Sequence, residues 1–85
     1  MECWYIYMVK CSDVTLYTGI AKDLNRRVDM HNQGEGAKYT RSRRPVKLVY
    51  SEQAPSRSEA SKREIQIKKM SRDKKLAMIE KQKRE

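Results

Sequence analysis

The stretch that decides the fold is YTGIAKDLNRRVDMH, residues 17–31. Its first residues favour a pleated sheet, and Gly19 indicates that this strand stops there. Beyond the glycine, Leu24 and Val28 recur at the spacing of one helix face. We therefore predict the end of a strand followed by a helix over residues 22–32.

Two polar side chains lie at the edge of the apolar stripe of this helix. Arg27 and His31 are one helical turn apart, which places both on the same shoulder of the stripe. The neighbouring Arg26 falls on the far side and points at water. A strand-end tyrosine, Tyr17, followed by such a pair predicts a functional site. The alternative is a packed tyrosine and an arginine whose head reaches solvent past apolar neighbours.

The size and composition of the chain limit what it can be. Its 85 residues predict one domain over residues 1–85, and a hydrophobic fraction of 38% permits a small core. No apolar run reaches the roughly 20 residues of a membrane span, and no signal-peptide pattern is seen, so we expect a cytoplasmic protein. If Cys3 and Cys11 both lie along the first strand, they are about 26 Å apart at ~3.3 Å per residue, which is too far for a disulfide.

The net charge of +9 points to a polyanionic partner, for which nucleic acid is the commonest choice. A basic protein of the membrane surface would instead carry a helix with a large apolar face and bulky anchors. Phe is absent from the chain and its single Trp is Trp4. Nucleic acid is therefore the partner that the charge favours, and we expect no membrane binding.

Three segments are predicted to be strands, at residues 3–10, 14–18 and 46–51. Both faces of the first strand are apolar or aromatic, which indicates that it is covered on both sides. If Tyr7 and Tyr17 share a face and pair directly, the turn between them holds an odd number of residues, such as 11–13.

A second helix is predicted from the capping box at residues 56–59 to about residue 70. Ala60 and Ile67 line the side of this helix that should be buried. Glu64 shares that side, where a carboxylate requires either a function or a cationic partner.

The C-terminal residues predict one more short helix. Ser71 is suited to cap its N-terminus. Leu76 and Ile79 are expected to pack against the core, while the lysines around them stay exposed. The final residues are expected to fray.

Residues 33–45 predict a loop rich in glycine and positive charge. Four basic side chains surround one tyrosine, a combination that proteins use to contact phosphates and to stack on bases. These candidate nucleic-acid-binding residues are Lys38, Tyr39, Arg41, Arg43 and Arg44. The alternative is a loop that is merely solvated.

Taken in order, several short motifs resemble those of the GIY-YIG nuclease family: Tyr5-Ile6-Tyr7, Tyr17-Thr18-Gly19, Arg27 with His31, and Glu64. The chain is similar in particular to small stand-alone bacterial members, also at residues 37–40 and 43–45, and the resemblance covers nearly its whole length. It implies an α+β fold with a three-stranded antiparallel sheet flanked by helices. It further implies metal-dependent hydrolysis of phosphodiester bonds.

The sequence departs from the family pattern at three points. Tyr5 takes the place of the first glycine, and Thr18 replaces the middle isoleucine or valine. Family members often have an asparagine beyond the acidic helix, and no asparagine follows Glu64 here.

The resemblance implies catalytic roles for Tyr7, Tyr17, Arg27 and His31, and a metal-binding role for Glu64. One Mg²⁺ or Mn²⁺ on a single carboxylate would relieve the charge that develops on the phosphate, with no small-molecule cofactor. Arg27 would grip the phosphate in a bidentate manner. Either tyrosine would accept a proton from water, with His31 orienting or sharing it, and the sequence does not choose between the two.

The leading interpretation is an endonuclease that acts on branched, flapped or damaged DNA in repair or recombination, with DNA favoured over RNA. A second is a non-catalytic nucleic-acid-binding module of the same fold, and a third is a structural protein on ribosomal RNA. Glu64 favours the first, because a pure polyanion binder gains nothing from a carboxylate on its binding face.

Overall fold

The computed structural model describes residues 3–85 and contains three strands and four helices among them. The strands are β1 (Trp4–Lys10), β2 (Leu16–Ala21) and β3 (Lys47–Ala54). The helices are α1 (Leu24–Asn32), α2 (Lys38–Arg41), α3 (Arg57–Lys68) and α4 (Arg72–Arg84). The strands form one antiparallel sheet in the order β2–β1–β3. The predicted α+β fold with a three-stranded antiparallel sheet flanked by helices is confirmed.

The central strand β1 divides the core into two apolar clusters. Ile6 and Met8 point to one face, where they pack with buried residues of α3 and α4 such as Ile67. Tyr7 and Val9 point to the other face, which α1 covers with the apolar stripe predicted from its sequence. The prediction that both faces of this strand are covered is confirmed, and α1 lies over the face that carries Tyr7.

Tyr7 and Tyr17 share a face of the sheet, but they do not pair directly, so the condition for a turn at residues 11–13 is not met. Tyr7 pairs with Gly19, and Tyr17 pairs with Val9. The connection between the strands spans residues 11–15 and is closed by a hydrogen bond from Cys11 N to the Thr15 carbonyl, 2.8 Å long. This connection is longer than the predicted turn, which shifts the register by two residues and leaves the tyrosines on one face as diagonal neighbours.

Gly19 does not end β2, which continues to Ala21. A Cβ at Gly19 would lie 2.6 Å from Tyr7 Oη, so no larger residue fits beneath that hydroxyl. The glycine therefore marks the place where the Tyr7 side chain packs against the backbone of β2, and not the stop that the sequence pattern predicted.

Side-chain caps begin three of the helices, at Asp23, Ser56 and Ser71. In α4, Ile79 is buried as predicted, but Leu76 is 41% exposed and the prediction that it packs is wrong. Leu76 borders an open cavity beside the sheet, whereas Ile79 reaches the core cluster. Between residues 3 and 85, no helix combines the length and apolar character needed to cross a bilayer.

The side chain of Gln82 joins α4 to the backbone of β3. Its Nε2 donates to the Ser51 carbonyl at 2.6 Å, and its Oε1 accepts from the Ser51 N–H at 3.2 Å. One amide side chain thus satisfies both backbone groups of a single strand residue.

Candidate active site

An open cavity of about 330 Å³ lies where β1, β2, α1 and α3 meet. Its lining includes the four residues with expected catalytic roles and the expected metal ligand, which are Tyr7, Tyr17, Arg27, His31 and Glu64. The fold therefore brings together side chains that are spread over most of the sequence. The rest of the described lining comes from Gly19, Ile20, Glu35, Gly36 and Ala37.

A larger cavity of about 480 Å³ lies elsewhere, between the sheet and α4. It is bordered by apolar side chains such as Leu16, Val49 and Leu76, together with Asp73 and Glu80 and three basic residues. Its described lining contains none of the tyrosine, histidine and Glu64 side chains that the sequence singled out, so the smaller cavity is the candidate active site.

Tyr7 and His31 are in direct contact at the floor of this cavity. Tyr7 Oη lies 2.8 Å from His31 Nε2, and the other ring nitrogen, Nδ1, lies 2.8 Å from Thr40 Oγ1. The Thr40 hydroxyl in turn donates to the Ala37 carbonyl at 2.9 Å. All three side chains are buried, so this hydrogen-bonded chain is shielded from bulk water.

Burial sets the charge state of Tyr7 and His31, the two titratable side chains of this hydrogen-bonded series. Burial raises the pKa of Tyr7, the neighbouring Tyr17 and Glu64 add to this rise, and Arg27 opposes it. Burial lowers the pKa of His31 below 6.5, and the positive charge of Arg27 lowers it further. At neutral pH the site therefore holds a neutral phenol against a neutral imidazole.

We expect the free energy of unfolding to fall as the pH drops below 6.5. His31 has a lowered pKa in the folded protein, so the unfolded chain binds more protons in that range and folding stability rises with pH. The titratable or charged groups around the imidazole are Tyr7, Tyr17 and Arg27. Chemical denaturation at pH 7 and pH 5 would measure the difference.

The variant His31→Gln is the control for this titration, because glutamine has no proton to gain. This variant should be less stable than the wild type at pH 7. Its free energy of unfolding should depend less on pH, because only the contribution of the carboxylates remains. A wild-type stability that is equal at the two pH values would contradict the burial of an uncharged His31.

Tyr17 lies nearer to solvent than Tyr7. Its ring meets His31 edge-on with the centroids 5.5 Å apart, and it stacks against Tyr39 at 5.9 Å. The Arg43 guanidinium lies 3.9 Å from the centre of the Tyr39 ring. The rings of Tyr17 and Tyr39 thus connect the buried imidazole to residues 33–45, the basic segment on the surface.

Glu64 is the carboxylate that α3 supplies to the cavity. Its side chain is 20% exposed, and Oε2 lies 3.4 Å from Lys68 Nζ one helical turn later. This lysine is the cationic partner that the sequence argument required, although its own side chain is half exposed and the ion pair is weakly stabilising.

The donor set of the cavity is compatible with the divalent ion that the family resemblance implies. Residues 3–85 contain no group of three or more His, Cys, Asp or Glu side chains arranged to hold a metal. Mg²⁺ does not need such a cage, because it keeps several waters and is commonly bound through one or two carboxylates plus substrate phosphate. Glu64 in an open cavity meets this requirement, and so Glu64 is the residue that would hold the ion.

The basic segment is only partly available for nucleic acid. Arg43 contacts Asp13 at 3.0 Å and the Tyr39 carbonyl at 2.8 Å. Arg44 donates to the carbonyls of Arg41 and Asn32. Both guanidinium groups thus stabilise the segment itself, and contact with phosphate would compete with these bonds. Their predicted nucleic-acid-binding role, like that of Lys38, Tyr39 and Arg41, stays a prediction.

We expect Lys38→Ala with Arg41→Ala to weaken nucleic-acid binding and to reduce its salt dependence. Both side chains are exposed, and each phosphate contact that is lost should make the slope of log affinity against log salt shallower by about one unit. Affinity measured by fluorescence anisotropy over a salt series would test this. The pair Lys74→Ala and Lys81→Ala on α4, which covers the other sheet face, removes the same charge and should leave the slope unchanged.

The sequence did not predict site roles for Thr40, Gly36 or Glu35. Thr40 was not singled out, because α2 has only four residues and shows no periodic pattern. Gly36 and Glu35, which line the cavity, lie in the segment that the sequence predicts to be a loop. Two signals were available: residues 37–40 share in the family resemblance, and residues 33–45 follow directly on the helix that carries Arg27 and His31.

Comparison with known proteins agrees with this arrangement. A family model of the GIY-YIG catalytic domain matches residues 3–77. A UPF0213 protein of Staphylococcus aureus is 58% identical over 79 residues, which are 93% of this chain and 96% of that protein.

Two solved structures share the fold. The solution NMR structure of the UPF0213 protein BH0048 from Bacillus halodurans has a TM-score of 0.59 and 41% identity, covering 92% of this chain and 83% of that one. The solution NMR structure of the protein EF2693 from E. faecalis has a TM-score of 0.65 and 38% identity, covering 100% and 91%. The chain thus belongs to the GIY-YIG catalytic domain family, a family of nucleases, with the small bacterial UPF0213 proteins among its relatives.

Proposed function

We propose that this protein is a metal-dependent endonuclease that hydrolyses phosphodiester bonds in structured or damaged DNA, with a role in repair or recombination. The observation that carries the proposal is the convergence of Tyr7, Tyr17, Arg27, His31 and Glu64 on one open cavity. Phosphodiester hydrolysis needs a group that accepts a proton from water, a positively charged group that binds the phosphate, and stabilisation of the negative charge that develops in the transition state. These five side chains supply groups suited to each requirement.

Arg27 is the group that would bind the scissile phosphate. It is half-buried on α1, lines the cavity and acts electrostatically on both Tyr7 and His31. Its guanidinium presents parallel N–H donors that match two phosphoryl oxygens. Because the cavity walls exclude part of the water, this interaction is stronger here than at an open surface.

Glu64 would hold a Mg²⁺ or Mn²⁺ ion at the same phosphate. When bound, the ion supplies Lewis-acid relief of the negative charge that develops as the phosphoryl group transfers. The Glu64 carboxylate would supply negative charge for a divalent cation in a cavity that also holds the positive charge of Arg27.

Tyr7 and His31 would remove the proton from the attacking water. Burial disfavours a free phenolate at Tyr7, so a proton accepted by Oη must be accompanied by transfer of the phenolic proton to another group. His31 Nε2 lies 2.8 Å away and is part of a neutral ring, so it is a suitable acceptor. As the water oxygen bonds to phosphorus and the bond to the leaving oxygen breaks, one proton passes from water to Tyr7 and one from Tyr7 to His31. After cleavage the His31 proton returns through Tyr7 Oη to water in the open cavity, and the leaving oxygen takes up one proton from water.

The test is incubation of the pure protein with duplex, flapped, branched and single-stranded DNA and with matched RNA. Each substrate would be tested with Mg²⁺, with Mn²⁺ and with chelator, and the products would be resolved on denaturing gels. We expect metal-dependent cleavage that the chelator abolishes, with DNA junctions preferred. Binding without cleavage under every condition would instead support the non-catalytic nucleic-acid-binding module.

We expect Tyr7→Phe to lower kcat by about a hundredfold or more, the range of general acid–base catalysis, and Tyr17→Phe to lower it less. Tyr7 lies within hydrogen-bond distance of a buried proton acceptor, whereas the Tyr17 ring is stacked against Tyr39 nearer the surface. Initial rates under saturating substrate would measure the difference. The reverse order, an inactive Tyr17→Phe and an active Tyr7→Phe, would identify Tyr17 as the proton acceptor.

A further inference from the structure

The two ring nitrogens of His31 have different partners, and this difference determines what the ring can do. Nε2 lies 2.8 Å from Tyr7 Oη, and Nδ1 lies 2.8 Å from Thr40 Oγ1. A neutral imidazole donates from one nitrogen and accepts at the other. His31 is 1% exposed and Thr40 is 0% exposed, so bulk water does not replace either partner.

The hydroxyl of Thr40 determines which nitrogen carries the proton. Thr40 Oγ1 lies 2.9 Å from the Ala37 carbonyl oxygen, which can only accept. A hydroxyl has one proton, so the oxygen turns a lone pair toward His31 Nδ1. Nδ1 must then be the protonated nitrogen, and the lone pair of the ring lies on Nε2, facing the Tyr7 hydroxyl.

Close packing limits the ring to this orientation. A Cβ at Gly36 would overlap His31 Nδ1 and would lie 2.8 Å from Cγ. The backbone of residue 36 therefore lies directly against the imidazole, on the segment that connects α1 to Thr40. The ring cannot turn toward this side without displacing the connection.

We propose that Thr40 is a positioning residue that holds His31 in its Nδ1–H form, so that Nε2 is always available to take the proton of Tyr7. This inference rests on the hydrolysis proposed above and assigns a role to a residue that is not among the expected catalytic and metal-binding residues. During the proton transfer the Nδ1 proton stays in place, shared with Thr40. The imidazolium that forms keeps one donor bond to Thr40 and one to the Tyr7 oxygen.

The first test reads the tautomer directly by NMR of the full chain labelled with ¹⁵N. His31 is the single histidine of the sequence, so its ring signals need no assignment. Long-range correlations from the carbon-bound ring protons distinguish a protonated nitrogen from an unprotonated one. We expect Nδ1 to be protonated and Nε2 unprotonated at neutral pH. An Nε2–H ring in the wild-type protein would overturn the proposal whether or not the protein cleaves DNA.

The second test uses Thr40→Val, which keeps the shape of the side chain and removes the hydroxyl, with Thr40→Ser as the matched variant that keeps it. We expect Thr40→Val to admit the Nε2–H form and to lower kcat about tenfold or more with little change in KM. Thr40→Ser should restore both the tautomer and the rate. A Thr40→Val protein with the wild-type ring spectrum and wild-type kcat would overturn the role of Thr40.

The spectra also separate this proposal from the nuclease function. A wild-type protein that shows the Nδ1–H ring and cleaves no substrate would contradict the proposed hydrolysis and support the geometric role of Thr40. If Thr40→Val does not fold, the role of the Thr40 hydroxyl is tested by comparing the ring spectra of the wild type and Thr40→Ser. A serine variant that keeps the Nδ1–H form supports control by the hydroxyl, and one that loses it contradicts that control.

Discussion

Glu64→Gln is expected to abolish cleavage, with a loss of about a thousandfold or more in kcat, while the protein stays folded. Glutamine keeps the size of the side chain and removes the charge that would hold a divalent ion in the cavity. The change also breaks the ion pair with Lys68, whose side chain is 51% exposed, and a pair of this kind contributes no more than about 1 kcal/mol. Cleavage time courses with Mg²⁺ and with Mn²⁺, together with thermal unfolding curves, would measure both effects.

Glu59→Gln is the matched control, because it makes the same change on the same helix. The Glu59 side chain is 56% exposed and lies 3.7 Å from Lys62, away from the cavity. Its activity should equal that of the wild type. In chelator, Glu64→Gln should bind DNA at least as tightly as the wild type, since a negative charge near the phosphate is gone. An active Glu64→Gln with an inactive Glu59→Gln would mean that another part of α3 serves the site.

Arg27→Lys is expected to lower kcat by about a hundredfold, and Arg27→Ala to lower it further and to weaken binding. Lysine keeps the positive charge but replaces a planar fork of donors with a single ammonium, so two phosphoryl oxygens are no longer held at once. Both variants should fold, because Arg27 is only half-buried and lies at the edge of the α1 stripe. Separate values of kcat and KM, and affinities in chelator, would resolve the two effects.

Arg26→Ala is the comparison for both variants. Arg26 is exposed and lines a neighbouring cavity with Lys22 and Met30, not the candidate active site. We expect Arg26→Ala to keep the wild-type kcat, with at most a higher KM because one positive charge is lost. A wild-type kcat in Arg27→Lys would contradict bidentate binding of the scissile phosphate by this residue.

Features that depend on local periodicity could be predicted from the sequence. The alternation in β1 placed Ile6 and Tyr7 on opposite, covered faces, and the helical spacing placed Arg27 and His31 on one shoulder of α1. The Ser56 cap and the burial of Ala60 followed from the same kind of pattern. These features are set by neighbours within one turn or one strand, which the sequence shows directly.

Features that depend on distant parts of the chain could not be predicted in this way. The strand register depended on the geometry of residues 11–15, and the predicted turn was too short. The engagement of Arg43 with Asp13 joins residues thirty positions apart, so the segment looked more available for nucleic acid than it is. Thr40 contacts His31 only because α2 folds back against α1, and four residues carry no period from which that contact follows.

The amide of Gln82 has a consequence for the outer edge of the sheet, where β3 is the last strand. It offers Ser51 one donor and one acceptor, the groups that a peptide unit of an incoming strand would offer. Unpaired outer strands are the usual starting points of intermolecular sheet growth and aggregation. A foreign segment that adds to β3 must first displace Gln82, which lies beyond the residues matched to the family. The end of α4 therefore occupies the backbone groups of Ser51 that an incoming strand would need, at a place away from the candidate active site.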